Sequence, residues 1–436
     1  MNEMHERLSR YLRDQHVQLN VVASNPRQGG TMLLIWTGCA ELSEGRVPVG
    51  LLNEPGNLGV LPGCPYDENE NPRSEADMDR LVLLAAKLAV LRHRFDTEDG
   101  DDALHARHLD LCRRLQVPRI PGAGGHYDPR HDIELLSDVD TLEQQFGRWA
   151  SGRSTAPLAS ERPRLMLTIK EHNYNRNEAE FIRLLNLVKQ SGGSLLFTTR
   201  HPVDCFNSFL LRRTVHFLSA EGKVNNREIE DFVKRLFLPS VSSAEAQQSM
   251  LDYLTHCMTA GFRDSGDRID RDRFLAFVGK TPSDTPTFQD IRAAGLAIRD
   301  HCLSIMSISY TNTARYFQLA RARLPDATHR VDFDALLADP NGFLASLARE
   351  IPWLRGFRTD HWNSDPLNRF INFPEAFVLP GSEIERNVWF KDTLSATGIR
   401  PRTANASRTP LLPAEHESCL DDLEKSYFAL FDHRSS

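Results

Sequence analysis

No stretch of this 436-residue sequence approaches the ~18–20 consecutive apolar residues that cross a bilayer, so no membrane span is expected. A basic excess is missing too. The 52 Lys and Arg against 59 Asp and Glu leave a net charge of −7, which argues against a general binder of nucleic acid or of a heparin-like polyanion. A local basic pocket for a nucleotide remains compatible with that balance. Cysteine is sparse and odd in number (Cys39, Cys64, Cys112, Cys205, Cys257, Cys302 and Cys419), with no CxxC pair. Neither a zinc ribbon nor a disulfide framework is suggested, and a reducing compartment fits best. The leading MNEMHERLSRYLRDQH lacks the apolar core of a signal peptide and reads as a short charged helix. The expectation is a soluble, cytoplasmic protein. Internal repeats are absent, and so is the Walker pattern GxxxxGK[ST], which disfavours an ordinary ATPase or GTPase.

What is present is ample material for a large core: 40% hydrophobic residues over a length whose prior is roughly two or three domains. Val17–Ala23 is a short β-branched run that reads as a strand. It runs into Asn25-Pro26-Arg27-Gln28-Gly29-Gly30, after which 31–42 is apolar nearly all round, as a buried helix would be. Strand, glycine turn and buried helix open many phosphate-binding α/β proteins. Further strand candidates are 47–52, 165–169, 194–199 and 329–333, with helices expected over 178–189 and 341–350. This alternation predicts a parallel sheet of about five strands flanked by helices. Two long stretches, 62–163 and 214–324, read instead as helical insertions, the first an insertion or cap. An amphipathic helix is expected over 415–431. The acidic run RDSGDRIDRDR invites comparison with a calcium loop but lacks the glycine and closing glutamate at the required positions, so it reads as a solvated loop.

Two segments carry chemistry. In Ser24–Thr31, glycines let backbone amides at a helix start approach phosphate oxygens closely. Arg27 adds a permanent planar cation and Thr31 a hydroxyl. In Thr199-Arg200-His201-Pro202, an arginine ends a strand and proline opens a helix, with Ser208 two turns in. That pair can hold a second phosphate.

Together these segments resemble the sulfotransferases that use 3′-phosphoadenosine 5′-phosphosulfate (PAPS). Their first motif is a strand followed by Pro-Lys/Arg-x-Gly-Thr-Thr, which holds the 5′-phosphosulfate. It is matched by Pro26, Arg27, Gly29 and Thr31, with Gln28 at the variable position and Gly30 replacing the usual first threonine. Their second motif, an arginine after a strand and a serine eight residues on, binds the 3′-phosphate and is matched by Arg200 and Ser208. Lys170-Glu171-His172 resembles the family's Lys-Thr-His, which implies His172 as base and Lys170 at the sulfuryl group. Imidazole suits base work because its unperturbed pKa is about 6.5. Glu54 stands where other branches place a catalytic glutamate, and the two candidates stay open. Weaker matches are Val331–Leu336 with Asp339-Pro340, a structural strand-to-helix join. Arg386 lies before Asn387-Val388-Trp389, where the family often supplies a basic group to the 3′-phosphate.

The resemblance implies a single sulfotransferase-like domain over 1–436, with insertions lining an acceptor pocket. PAPS would be the co-substrate and its 3′,5′-bisphosphate (PAP) the product. It also implies an acceptor hydroxyl or amine on a small molecule or glycan, with Arg27 steadying charge on the donor's bridging oxygen. No metal is expected: His105, His108, His126 and His131 with Asp128 and Asp132 form neither HxxxH nor HExxH and read as polar cap surface. Nothing in the sequence signals an oligomeric state. Alternative readings are a phosphotransferase of the P-loop kinase class and a non-catalytic nucleotide-binding protein.

Overall fold

A computed structural model describes residues 3–24, 29–30, 33–34, 37, 40–42, 45–53, 74–97, 101–116, 129–152, 163–171, 178–218, 231, 234, 243–263, 268–351, 353–357, 376–378, 418, 420–423 and 425. Their chain contacts divide them into two compact units. The first holds the described residues of 1–58, 71–199 and 316–403, the second those of 200–315 and 404–436.

The first unit is α/β. Helix α1 (Glu3–Asp14) buries His5, Leu8 and Leu12, and leads into β1 (Val17–Ala23), every residue of which is buried. A strand covered on both faces reads as a continuous apolar run, yet β1 contains Gln18 and Asn20. Their polarity is met only in part, since Gln18 Oε1 and Asn20 Nδ2 are buried without a hydrogen-bond partner among the described residues. The Gln18 amide donates to Asn20 Oδ1 (2.9 Å), which also accepts from the Ser194 N–H (3.1 Å). There follow β2 (Ala40–Leu42), β3 (Arg46–Asn53), α2 (Glu75–Thr97), α3 (Asp102–Gln116), α4 (Pro129–Ser151), β4 (Arg164–Glu171), α5 (Glu178–Ser191) and β5 (Leu195–Thr199). After the second unit come β6 (Thr328–Asp332), α10 (Phe333–Ala338), α11 (Pro340–Glu350), β7 (Leu354–Phe357) and β8 (Ala376–Val378).

The sheet runs β6-β5-β1-β4-β3-β8. Its first five strands are parallel, as expected, and β8 adds an antiparallel edge on β3. The strand β1 is central, paired with β5 on one side and β4 on the other. The stretch 62–163 supplies α2, α3 and α4. Helix α2 is apolar nearly all round, with 81–86 wholly buried, and packs against β3, α1, α3 and α4 as a layer on the sheet.

Charged groups tie this layer together. Asp79 on α2 is fully buried, with Arg183 of α5 on Oδ1 and His5 Nδ1 3.3 Å from Oδ2. Lys87 on the same helix meets Asp140 (3.2 Å) and Glu143 of α4. Tyr11 donates to Glu143 (3.0 Å), and burial followed by that carboxylate's charge pushes its phenol well above its ordinary range.

Three boundaries depart from the sequence expectation. The helix expected over 31–42 does not reach its end, because Ala40–Leu42 is strand paired antiparallel with β7. The strand expected at 165–169 extends through Glu171, and β6 stops at Asp332, whose carboxylate caps α10 by accepting the N–H groups of Asp334 and Ala335.

The second unit is helical in its described residues: α6 (Pro202–Leu218), α7 (Ala244–Thr259), α8 (Arg271–Phe277) and the larger part of α9 (Phe288–Arg323), which continues into the first unit from Tyr316. Its core includes Phe206, Leu210, Leu254, Phe274, Ile298 and Met306. Much of the stretch 214–324 thus lies in a compact unit of its own. In the acidic run 263–273, Asp270 caps α8 by accepting the Arg273 N–H (3.0 Å). Among the described residues no helix is long and apolar enough to cross a membrane.

Candidate functional site

Five parallel strands point their carboxyl ends to one edge of the sheet. There the register aligns Ala23 with Glu171 and Asn53 with Lys170, while Thr199 lies opposite Asp332. Because β1 has later strands on both sides, its carboxyl end is a topological switch point, where open α/β sheets form their ligand crevice.

The chain leaves β1 through Ser24, whose N–H still bonds to Glu171 O (3.3 Å) and whose side chain is fully buried. It returns at Gly29, which adopts φ +82°, and enters a helix. The Leu33 N–H bonds to Gly29 O (3.1 Å), so Gly29 is the cap and Gly30 the first helical residue. An amide in that first turn has no intrahelical acceptor.

Both glycines are required by packing. A Cβ on Gly29 would collide with the ring of Phe333, the first residue of α10. A Cβ on Gly30 would land on the Ser24 side chain and lie 3.2 Å from Lys170 Cε. Lys170, 4% exposed, is therefore brought beside the loop by the last turn of β4, not by a connection after it. Gly29 and Gly30 are thus hemmed in by Ser24 after β1, Lys170 of β4 and Phe333 at the start of α10.

A further cation sits along the same edge. Arg330 on β6 donates from Nε to Thr199 Oγ1 (3.3 Å), and its Nη2 lies 3.9 Å from Asp332 Oδ2. The sequence alone assigns no role to Arg330, and it counts Ser24 only as the first residue of the loop and Phe333 only as part of the strand-to-helix join. Alternation along β6 could have flagged Arg330 with Asp332 on one face. No sequence signal shows that the Ser24 side chain and the Phe333 ring border Gly30 and Gly29, a proximity that only folding creates.

In the second unit, Arg200 directly follows β5 in the chain, and its carbonyl accepts from the Tyr310 hydroxyl (3.2 Å). Helix α6 starts at Pro202, as expected. His201 is buried, and its Nδ1 accepts the Val203 N–H (3.2 Å) at the start of α6. Ser208 is half-buried two turns along α6.

Of the other expected site residues, Pro26, Arg27, Gln28, Thr31, Glu54, His172 and Arg386 lie outside the described residues. So do His126 and Asp128 of the histidine cluster. His108 is core: its Nε2 donates to Leu88 O (2.9 Å). His105 stacks on Phe95 and meets Arg92 (3.1 Å). Among the described residues no three His, Cys, Asp or Glu converge as metal ligands, and the four described cysteines are buried.

Compared with known proteins, the chain matches no family model, no curated protein and no solved structure.

Proposed function

We propose that the chain is a PAPS-dependent sulfotransferase whose 24–31 loop takes the 5′-phosphosulfate of the donor. The observation that carries the reading is the turn at Gly29-Gly30. It leaves the carboxyl end of the central parallel strand, opens a helix and is pressed so closely against Ser24, Lys170 and Phe333 that neither glycine has room for a side chain. Such a turn presents bare amides to an anion. Lys170 beside it supplies positive charge for the sulfuryl oxygens, and the resemblance assigns the 3′-phosphate to Arg200 and Ser208.

In the proposed reaction the acceptor oxygen forms a new bond to sulfur as the bond from sulfur to the bridging phosphate oxygen breaks. The acceptor proton passes to His172 or Glu54, and PAP leaves with the electrons of the broken bond. Arg27 and the loop amides steady the charge on the bridging oxygen.

Calorimetric titration with PAP, followed by an acceptor panel read by the mass gain of one sulfuryl group, tests the reading. Tight PAP binding with turnover is expected, and removing a preorganised charge partner by Lys170→Ala should lower turnover about 10²–10³-fold. PAP binding without turnover would leave a nucleotide-binding protein. Binding of ATP with magnesium in place of PAP would favour a phosphotransferase. Sulfate transfer that survives both His172→Ala and Glu54→Gln would remove both proposed bases.

A further inference from the structure

Gly30, which departs from the motif's threonine, has a counterpart in the fold. A side chain there would begin inside the volume held by Ser24 Cβ and Oγ. Ser24 itself cannot withdraw easily, because its backbone is bonded to Glu171 O on β4 and its side chain has 0% exposure. Lys170 Cε borders the same small space, 3.2 Å from the point where the Gly30 Cβ would stand. Only one of positions 24 and 30 can therefore fill it. Bulk alone does not explain a serine, since alanine would fill nearly the same volume without burying a hydroxyl, which is costly unless that hydroxyl is bonded.

We propose that Ser24 and Gly30 are an exchanged pair, in which the hydroxyl beside Lys170 is supplied from the end of β1 and not from the loop residue. Ser24 is then a positioning residue: it fixes Lys170 against the loop, where the cation also faces the 5′-phosphate that PAP retains. The inference rests on the donor-site reading above. It also says that the glycine at 30 relocates a hydroxyl instead of losing one. Gly30 lies outside the left-handed region, so its backbone accepts a side chain once Ser24 is trimmed.

The test is a transplant. Ser24→Ala, Ser24→Gly, Gly30→Thr and the doubles Ser24→Gly/Gly30→Thr and Ser24→Gly/Gly30→Ala are compared by thermal midpoint and by PAP dissociation constant. Gly30→Thr alone should lower the midpoint, and Ser24→Gly should relieve that loss. Ser24→Ala and Ser24→Gly should weaken PAP about tenfold, the loss of one charge-assisted hydrogen bond. The threonine double should regain wild-type affinity, while the alanine double, equally packed but without the hydroxyl, should not. A Gly30→Thr loss of the same size with or without Ser24 would overturn the shared space. Wild-type PAP affinity in Ser24→Ala and Ser24→Gly would overturn the role of the hydroxyl alone. A wild-type protein that binds no PAP would instead bring down the donor reading, and the role of Ser24 with it.

Discussion

Replacing Gly29 by alanine separates two costs that this fold imposes on one residue. Its φ of +82° penalises any side chain by roughly 1–2 kcal/mol. The added Cβ also meets the Phe333 ring, which is buried and has little freedom to move, and overpacking of that kind costs about 1–3 kcal/mol. The expected total is about 2–5 kcal/mol, a fall of roughly 4–20 °C in thermal midpoint for a unit of this size. Gly45 is the internal control: its φ is +75° with nothing within 4 Å of an added methyl, so Gly45→Ala carries the backbone cost alone. Calorimetry on both variants, repeated in a Phe333→Leu background that trims the ring, reads the difference. If Gly29→Ala costs no more than Gly45→Ala, or if Phe333→Leu leaves its cost unchanged, the loop is not clamped against α10 and the geometric basis of the anion site fails.

Two further outcomes follow from buried charge. Burial, and after it the Arg321 guanidinium, lowers His329 to about 4, against about 6.5 for the free imidazole. The unfolded chain thus binds the proton more readily. Stability from this residue is complete above pH 6.5 and is lost as pH falls toward 4, by at most about 3 kcal/mol. Urea unfolding at pH 7 and pH 4.5 should show that loss in the wild type and a smaller one in His329→Gln; equal losses would refute it. Arg183→Met leaves the fully buried Asp79 carboxylate with His5 as its remaining ionisable neighbour among the described residues and should cost about 3–5 kcal/mol. Adding Asp79→Leu should recover much of that loss in the same thermal assay, since it removes the stranded charge.

How much of this was legible beforehand depends on the range of the interactions. The strand β1 was readable to the residue because Val17, Leu19 and Val21–Ala23 give a short, mostly β-branched apolar run, even though Gln18 and Asn20 interrupt it. Helix α6 was readable from Pro202, which suits a first helical turn. The overrun at 31–42 has the opposite cause. Ala40–Leu42 is apolar enough to continue a helix, and it becomes strand only because β7, far later in the chain, offers a partner. Strand β8 has three residues and no periodicity to betray it. The buried polar residues were equally hidden, since Asp79 and Lys87 look like ordinary helix-surface charges until α4 and α5 close over them.

At the candidate site the sequence alone determined the ingredients: a glycine turn after an apolar strand, a lysine near the end of another, and an arginine before a proline-led helix. Those are local matters of backbone freedom and charge. Only the tertiary structure decided that Ser24 after β1, Lys170 of β4 and Phe333 of α10 close on Gly29 and Gly30, and that Gly30 must be bare because Ser24 fills its space. Parallel pairing aligns strand ends that are far apart in the chain, and no pattern within any one segment encodes which side chains then compete for the same volume.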